Sequence, residues 1–124
     1  MIHKFFCLFA LTAAFTGIAN AEPWHYTLGE QRADQQANFC LAEEDVIELA
    51  RIFEEYGPKP GYSALAHSRN CTLAVGTFTP IEIVKEIVVE KNKPNEYTIS
   101  FVEVKMADGK SQYLMTTRKV KVAN

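Results

Sequence analysis

The sequence of 124 residues lacks the motifs that usually identify an enzyme. It has only three histidines, and it contains no H-E-x-x-H, G-x-S-x-G, P-loop or G-x-G-x-x-G pattern. Ser63 and Ser68 flank His67, but no aspartate stands with them in a pattern typical of a catalytic triad. We therefore expect a protein that is not an enzyme, with no catalytic residues and no cofactor.

Motifs for redox chemistry and for structural metals are also missing. Three cysteines are present, but no two of them are spaced as C-x-x-C. Cys40, His67 and Cys71 supply three possible zinc ligands without an obvious fourth, whereas a structural zinc site uses four. We expect no metal site.

A concentrated basic charge, which nucleic-acid-binding domains usually carry, is absent as well. The chain has 13 lysines and arginines against 15 aspartates and glutamates, so its net charge is −2. Hydrophobic residues make up 48% and charged residues 23%, a composition that excludes a disordered tail, a collagenous fibre and a coiled coil. We expect one globular domain over residues 22–124, with no nucleic-acid partner.

Residues 1–21 have the pattern of a cleaved secretory signal peptide. Lys4 gives a short positive start, residues 5–18 are mostly apolar, and residues 19–21 read Ala-Asn-Ala, a small-x-small cleavage site. The apolar run is shorter than the ~20 residues that a membrane-spanning helix needs, and no second run of spanning length follows. These features predict a bacterial protein of the periplasm or the medium, without stable membrane insertion after cleavage.

Cleavage would remove Cys7 and leave two cysteines in an oxidising compartment. The simplest consequence is one intramolecular disulfide between Cys40 and Cys71. Such a bond would stabilise a small exported domain by constraining the unfolded chain.

Residues 40–71 are predicted to be helical. In the segment 41–56, Val46, Leu49, Ala50, Phe53 and Tyr56 recur at helical spacing, which predicts one apolar face. A short second helix is expected over residues 61–68, so that the disulfide would tie the two ends of a helical hairpin. Residues 22–39 are polar and irregular, and we expect an extended N-terminal segment there.

Residues 72–122 have the composition of a sheet, rich in Val, Ile, Thr, Phe and Tyr. The apolar positions change parity near Phe101 and Val102, which predicts a β-bulge in that strand. Asp108-Gly109 predicts a tight hairpin turn. The five candidate strands are residues 72–78, 81–90, 96–106, 111–117 and 118–122, of which the last two could form one bent strand.

Together these elements predict an α+β domain. An N-terminal helical hairpin would pack on a small, strongly bent antiparallel sheet of four or five strands. The apolar helix face, with Phe53 at its centre, would cover that sheet.

Several short motifs follow one another in order. Cys40 opens an acidic amphipathic helix that Gly57 ends, and Cys71 precedes the sheet. Phe78-Thr79-Pro80, Val102-Glu103-Val104, Asp108-Gly109-Lys110 and Tyr113 come next. With these motifs, most of residues 38–120 resembles a type of small exported bacterial protein of uncharacterised function. The resemblance implies helices and a curled sheet that is similar to bacterial SH3-like modules, and it implies no activity and no site residues.

Four aromatic residues are candidates for a binding surface, since rings supply a large contact area at low entropic cost. They are Trp24, Tyr62, Tyr97 and Tyr113. The alternative is that they belong to the core. The lysines and arginines of the late strands are explained as edge protection, or as a weak basic patch for an anionic cell-envelope polymer.

These features leave two classes of function. The first is a non-enzymatic binding module of the bacterial envelope, whose partner is a protein or a cell-envelope polymer. The second is an inhibitor or accessory factor of a secreted enzyme, which would present an exposed loop, with residues 57–61 and 92–95 as candidates.

Overall fold

The computed structural model describes residues 24–123, in which six strands and two helices form an α+β domain. The predicted signal peptide, residues 1–21, lies outside the described residues. The elements in chain order are β1 (Tyr26–Thr27), β2 (Arg32–Cys40), α1 (Glu43–Tyr56), α2 (Pro58–His67), β3 (Cys71–Val89), β4 (Tyr97–Met106), β5 (Ser111–Thr116) and β6 (Val120–Lys121).

Four antiparallel strands close into a barrel in the order β2-β3-β4-β5. β2 holds the two ends of this sheet together, because it pairs with β3 along its length and with β5 over residues 38–40. The short strands β1 and β6 form a separate parallel pair, with Tyr26 opposite Val120.

The prediction that a helical hairpin forms the N-terminal part of the domain is therefore wrong. Both helices form close to the predicted residues, but they follow β1 and β2. Residues 32–39, expected to belong to an irregular extended segment, form with Cys40 a nine-residue strand of the barrel. The strand was missed because it contains Asp, three amide side chains and only one large apolar residue, Phe39, so its alternation is weak.

β3 is one bent strand of 19 residues, where two strands were expected. Its register against β4 shifts twice, between Pro80 and Glu82 and between Ile83 and Lys85. The predicted bulge is therefore in β3, opposite Phe101 and Val102, and not in β4 itself. The parity change in β4 has another cause, which is that both of its faces are buried.

The core consists of two clusters of buried side chains, and neighbouring residues of β4 and of β5 belong to different clusters. Phe101 and Met115 pack with α1, whereas Val102 and Leu114 belong to a second cluster with Phe39, Phe78 and Tyr26. Because successive side chains of a strand point to opposite faces, the two clusters lie on opposite faces of the sheet.

A single residue, Gly57, connects the two helices. Its φ of 95° lies in the region that favours glycine, and its N–H donates to the carbonyl oxygen of Phe53 at 3.0 Å. Pro58 follows as the first residue of α2. Residues 57–61 are thus a helix junction and not the exposed loop that an inhibitor was expected to present.

The apolar face of α1 packs on the sheet as predicted, except at its end. Val46, Leu49, Ala50 and Phe53 are buried, but Tyr56 is exposed, because the chain turns at the next residue. A Cβ atom built on Gly61 would lie 2.5 Å from the Phe53 ring, so α2 packs its backbone directly against that ring.

Replacing Phe53 with Ala should lower the free energy of unfolding by about 3–5 kcal/mol, because the ring fills the space between α1, α2 and the sheet. Chemical denaturation measures this. Ile47→Ala on the exposed side of α1 is the matched control and should change stability by ~1 kcal/mol or less. Equal losses in both variants would show that the buried face has been misassigned.

Candidate functional site

The predicted disulfide is present, and it joins two residues that face each other in the sheet. Cys40 and Cys71 are bonded and are directly opposite in the β2–β3 ladder. Cys40 is fully buried and Cys71 nearly so. The bond therefore fixes the register of the two strands on either side of the helices.

The strongest candidate binding site is a groove of about 310 Å³ where β2 and β5 separate. The two strands pair over residues 38–40 and 113–115 and diverge beyond Asn38 and Met115. Tyr62 of α2 lies on one side of the opening and Arg118, between β5 and β6, is among the lining residues. We call it the Tyr62–Arg118 groove.

The side chains along this groove are mainly polar. Gln36, Asn38, Thr116 and Thr117 contribute amides and hydroxyls, each of which can donate and accept hydrogen bonds. Arg118 adds the one positive charge among the lining residues. Such a set suits a ligand with several hydroxyl or amide groups and an anionic group.

Arg118 is positioned by contacts within its own loop and with the N-terminal segment. Its backbone N–H donates to the Thr116 hydroxyl at 3.0 Å, and its guanidinium carbon lies 4.3 Å from the centre of the Trp24 ring. Arg32 stacks on the same ring at 4.7 Å. Trp24 thus contacts two arginines and positions one of them, Arg118, beside the groove.

Two of the four predicted aromatic residues contact each other. The hydroxyl oxygens of Tyr62 and Tyr97 are 3.1 Å apart, and the Tyr62 ring makes an edge-to-face contact with Phe53. Burial and the hydrogen bond with Tyr97 raise the pKa of Tyr62 to about 12. Tyr62 is therefore neutral at physiological pH, with part of its ring exposed to the groove.

Trp24 and Tyr113 have other surroundings. Trp24 is half-buried and packs edge-to-face on Tyr26, so it pins the N-terminal segment and contributes to the groove through Arg118. Tyr113 packs against the core beside α1, and partial burial together with the carboxylate of Glu103 raises its pKa. The structure does not bring Tyr113 to the Tyr62–Arg118 groove.

Sequence reasoning missed Gln36 and Asn38 as site residues. Both lie on β2, whose strand pattern was not recognised. They alternate with the buried residues Ala37 and Phe39, and this alternation is the signal that could have identified a strand with a polar outer face.

Within residues 24–123, no group of three or more His, Cys, Asp or Glu side chains is arranged to hold a metal ion. Neither helix of this part of the chain has the length and apolarity to cross a membrane. Comparison with known protein families, with curated proteins and with solved structures finds no match for this chain.

Removing the disulfide with Cys40→Ser and Cys71→Ser together should lower the free energy of unfolding by about 3.5–4 kcal/mol, from the loop-closure entropy of the unfolded chain. Denaturant titration of the variant and the oxidised protein measures the loss. Intact mass after alkylation without reductant is the control, and the native protein should take up no alkyl group. Uptake of alkyl groups by both cysteines would reject the bond.

Stability should fall as the pH rises from 10 to 12 through ionisation of Tyr62. The unfolded chain releases this proton near the ordinary pKa of 10.0, whereas the folded protein holds it to about 12. The absorbance of tyrosinate, compared between the protein and Tyr62→Phe, isolates the titration of this residue. Tyr97→Phe should shift it to lower pH, and Tyr56→Phe, which removes an exposed ring, should leave it unchanged. A Tyr62 titration near 10 in the unmodified protein would contradict the pair.

Proposed function

We propose that this protein is a non-enzymatic binding module of the bacterial cell envelope, which acts in the periplasm or the medium. The signal-like residues 1–21 and the buried Cys40–Cys71 bond support export to an oxidising compartment. The Tyr62–Arg118 groove is the proposed ligand site, and its mixture of amides, hydroxyls and one guanidinium is the observation that carries the proposal.

The partner is a protein or a cell-envelope polymer, and the groove chemistry favours the polymer. Polymers of the envelope present hydroxyl, amide and carboxylate or phosphate groups at regular intervals. The amides of Gln36 and Asn38 suit the neutral groups, and Arg118 suits the anionic one. An exposed part of the Tyr62 ring supplies a contact for apolar faces.

Co-sedimentation with purified peptidoglycan sacculi tests this proposal. Arg118→Glu should weaken binding by about tenfold or more, because a charge-assisted hydrogen bond becomes a repulsion. Lys119→Glu is the matched control, since it makes the same change in net charge at the next residue, which does not line the groove. Wild-type binding should also fall as salt is added.

Two results would overturn the polymer as ligand. The first is no co-sedimentation of the wild-type protein at low salt. The second is an equal loss in Arg118→Glu and Lys119→Glu, which would assign binding to general charge and not to the groove. Melting curves of both variants show whether the loss of the Trp24 contact unfolds the protein.

The alternative is an inhibitor or accessory factor of a secreted enzyme. The exposed loop between β3 and β4 supports it. Residues 91–96, between β3 and β4, are all exposed, and Glu90 and Asn92 have φ values of 57° and 65°. Hydrogen bonds from Lys93 and Glu96 back along the loop hold its shape. A partner captured from an envelope extract that is lost when Asn92 and Pro94 are replaced, but retained in Arg118→Glu, would favour this alternative.

A further inference from the structure

The first half of β3, residues 71–78, has one unpaired edge, and this edge lacks the charged residues that usually prevent pairing with another chain. Residues 71–78 pair with β2 on one side, and β4 begins to pair only at Phe78. Within residues 24–123, no strand pairs with the other side of residues 72–76. The backbone groups on this side are a template for a further strand.

The charge pattern of β3 separates its two halves. Residues 71–81 contain no charged side chain, whereas the second half carries Glu82, Lys85 and Glu86. Natural proteins usually protect a free edge with lysine, other charges or proline, because an apolar edge pairs with other chains. Leu73 and Val75 instead stand 60% and 63% exposed on the same face of the free half.

We propose that this edge pairs with the same edge of a second copy, so that two barrels share one continuous sheet across a two-fold axis. An antiparallel register centred on Ala74 places Leu73 of each copy opposite Val75 of the other. Thr72 then faces Gly76, and no like charges meet along the seam, because residues 71–81 carry none.

A second copy fits this edge better than an unrelated peptide does, because the edge is complementary to itself. Under the two-fold axis, Leu73 of each copy lies opposite Val75 of the other. The segment carries no charge, so the repulsion that usually prevents identical edges from pairing is absent. Leu73 is among the residues that line the Tyr62–Arg118 groove, and the paired residues share a face, so both grooves would lie on the same side of the joined sheet. A dimer of this form would present two grooves to a repeating ligand and gain avidity.

The mass of the purified, oxidised protein in solution tests the proposal. Light scattering behind size-exclusion chromatography should show a dimer that dissociates on dilution. Val75→Lys should raise the dissociation constant by about tenfold or more, because it places a charge opposite Leu73 of the other copy at two points of the seam. Val88→Lys is the matched control, since this valine is also exposed on β3 but lies outside the free half, and it should leave the dissociation constant within about twofold.

Backbone hydrogen exchange gives a second readout that does not depend on the variants. Those amides of residues 72–76 that point away from β2 should exchange more slowly at high protein concentration than at low concentration. A monomeric mass at all concentrations, or a dimer that Val75→Lys leaves intact, would overturn the proposal. Since neither measurement uses a ligand, their failure is distinguishable from a failure of polymer binding.

Discussion

The covalent bond between Cys40 and Cys71 fixes the point at which the helices leave the sheet and rejoin it. It joins the last residue of β2 to the first residue of β3, two residues that are opposite each other in the ladder. The chain between them contains α1, Gly57 and α2. It leaves the sheet at Cys40 and rejoins it at Cys71, so that the disulfide closes the loop. The helices can therefore cover one face of the barrel while the strands on either side of them remain neighbours.

The Tyr62–Arg118 groove follows from the same arrangement. β2 reaches β5 only near its disulfide-bonded end, so the two strands separate towards the other end and leave an opening. α2 returns to Cys71 and places Tyr62 beside that opening, where Tyr97 and Phe53 hold its ring. From the opposite direction, Trp24 holds the guanidinium of Arg118. The groove thus depends on contacts from four separate parts of the chain.

The sequence predicted the parts of this fold whose patterns are local. The apolar spacing of α1 predicts its helix, the Val-rich and Ile-rich segments from Thr72 onward predict strands, although β3 is one strand where two were expected, and the two cysteines pair as predicted. β2 is not recognisable from local pattern, because Asp34 and Asn38 have low strand propensity and the strand is stabilised by its neighbours on both sides. The parity change in β4 predicts a bulge in the wrong strand, since a single sequence does not show that both faces of β4 are covered.

The candidate site was predictable in part, for a related reason. Aromatic residues are conspicuous, so Tyr62 and Tyr97 were identified, although their contact comes from the fold and not from spacing. Trp24 also entered the prediction, but its role is to hold Arg118 and not to form the groove wall. Tyr113 packs beside the core and does not line the groove, because the same residue type serves equally well in either place.

The central claim is that residues before the helices close the barrel, and hydrogen exchange of the oxidised protein tests it most directly. If β2 lies between β3 and β5, the amides of Asn38, Phe39 and Cys40 should belong to the slowest-exchanging class, together with Phe101 and Val102 of β4. Exchange of these amides as fast as that of the exposed residues 91–96 would show that this segment is not a barrel strand, and it would contradict both the fold and the groove built on it.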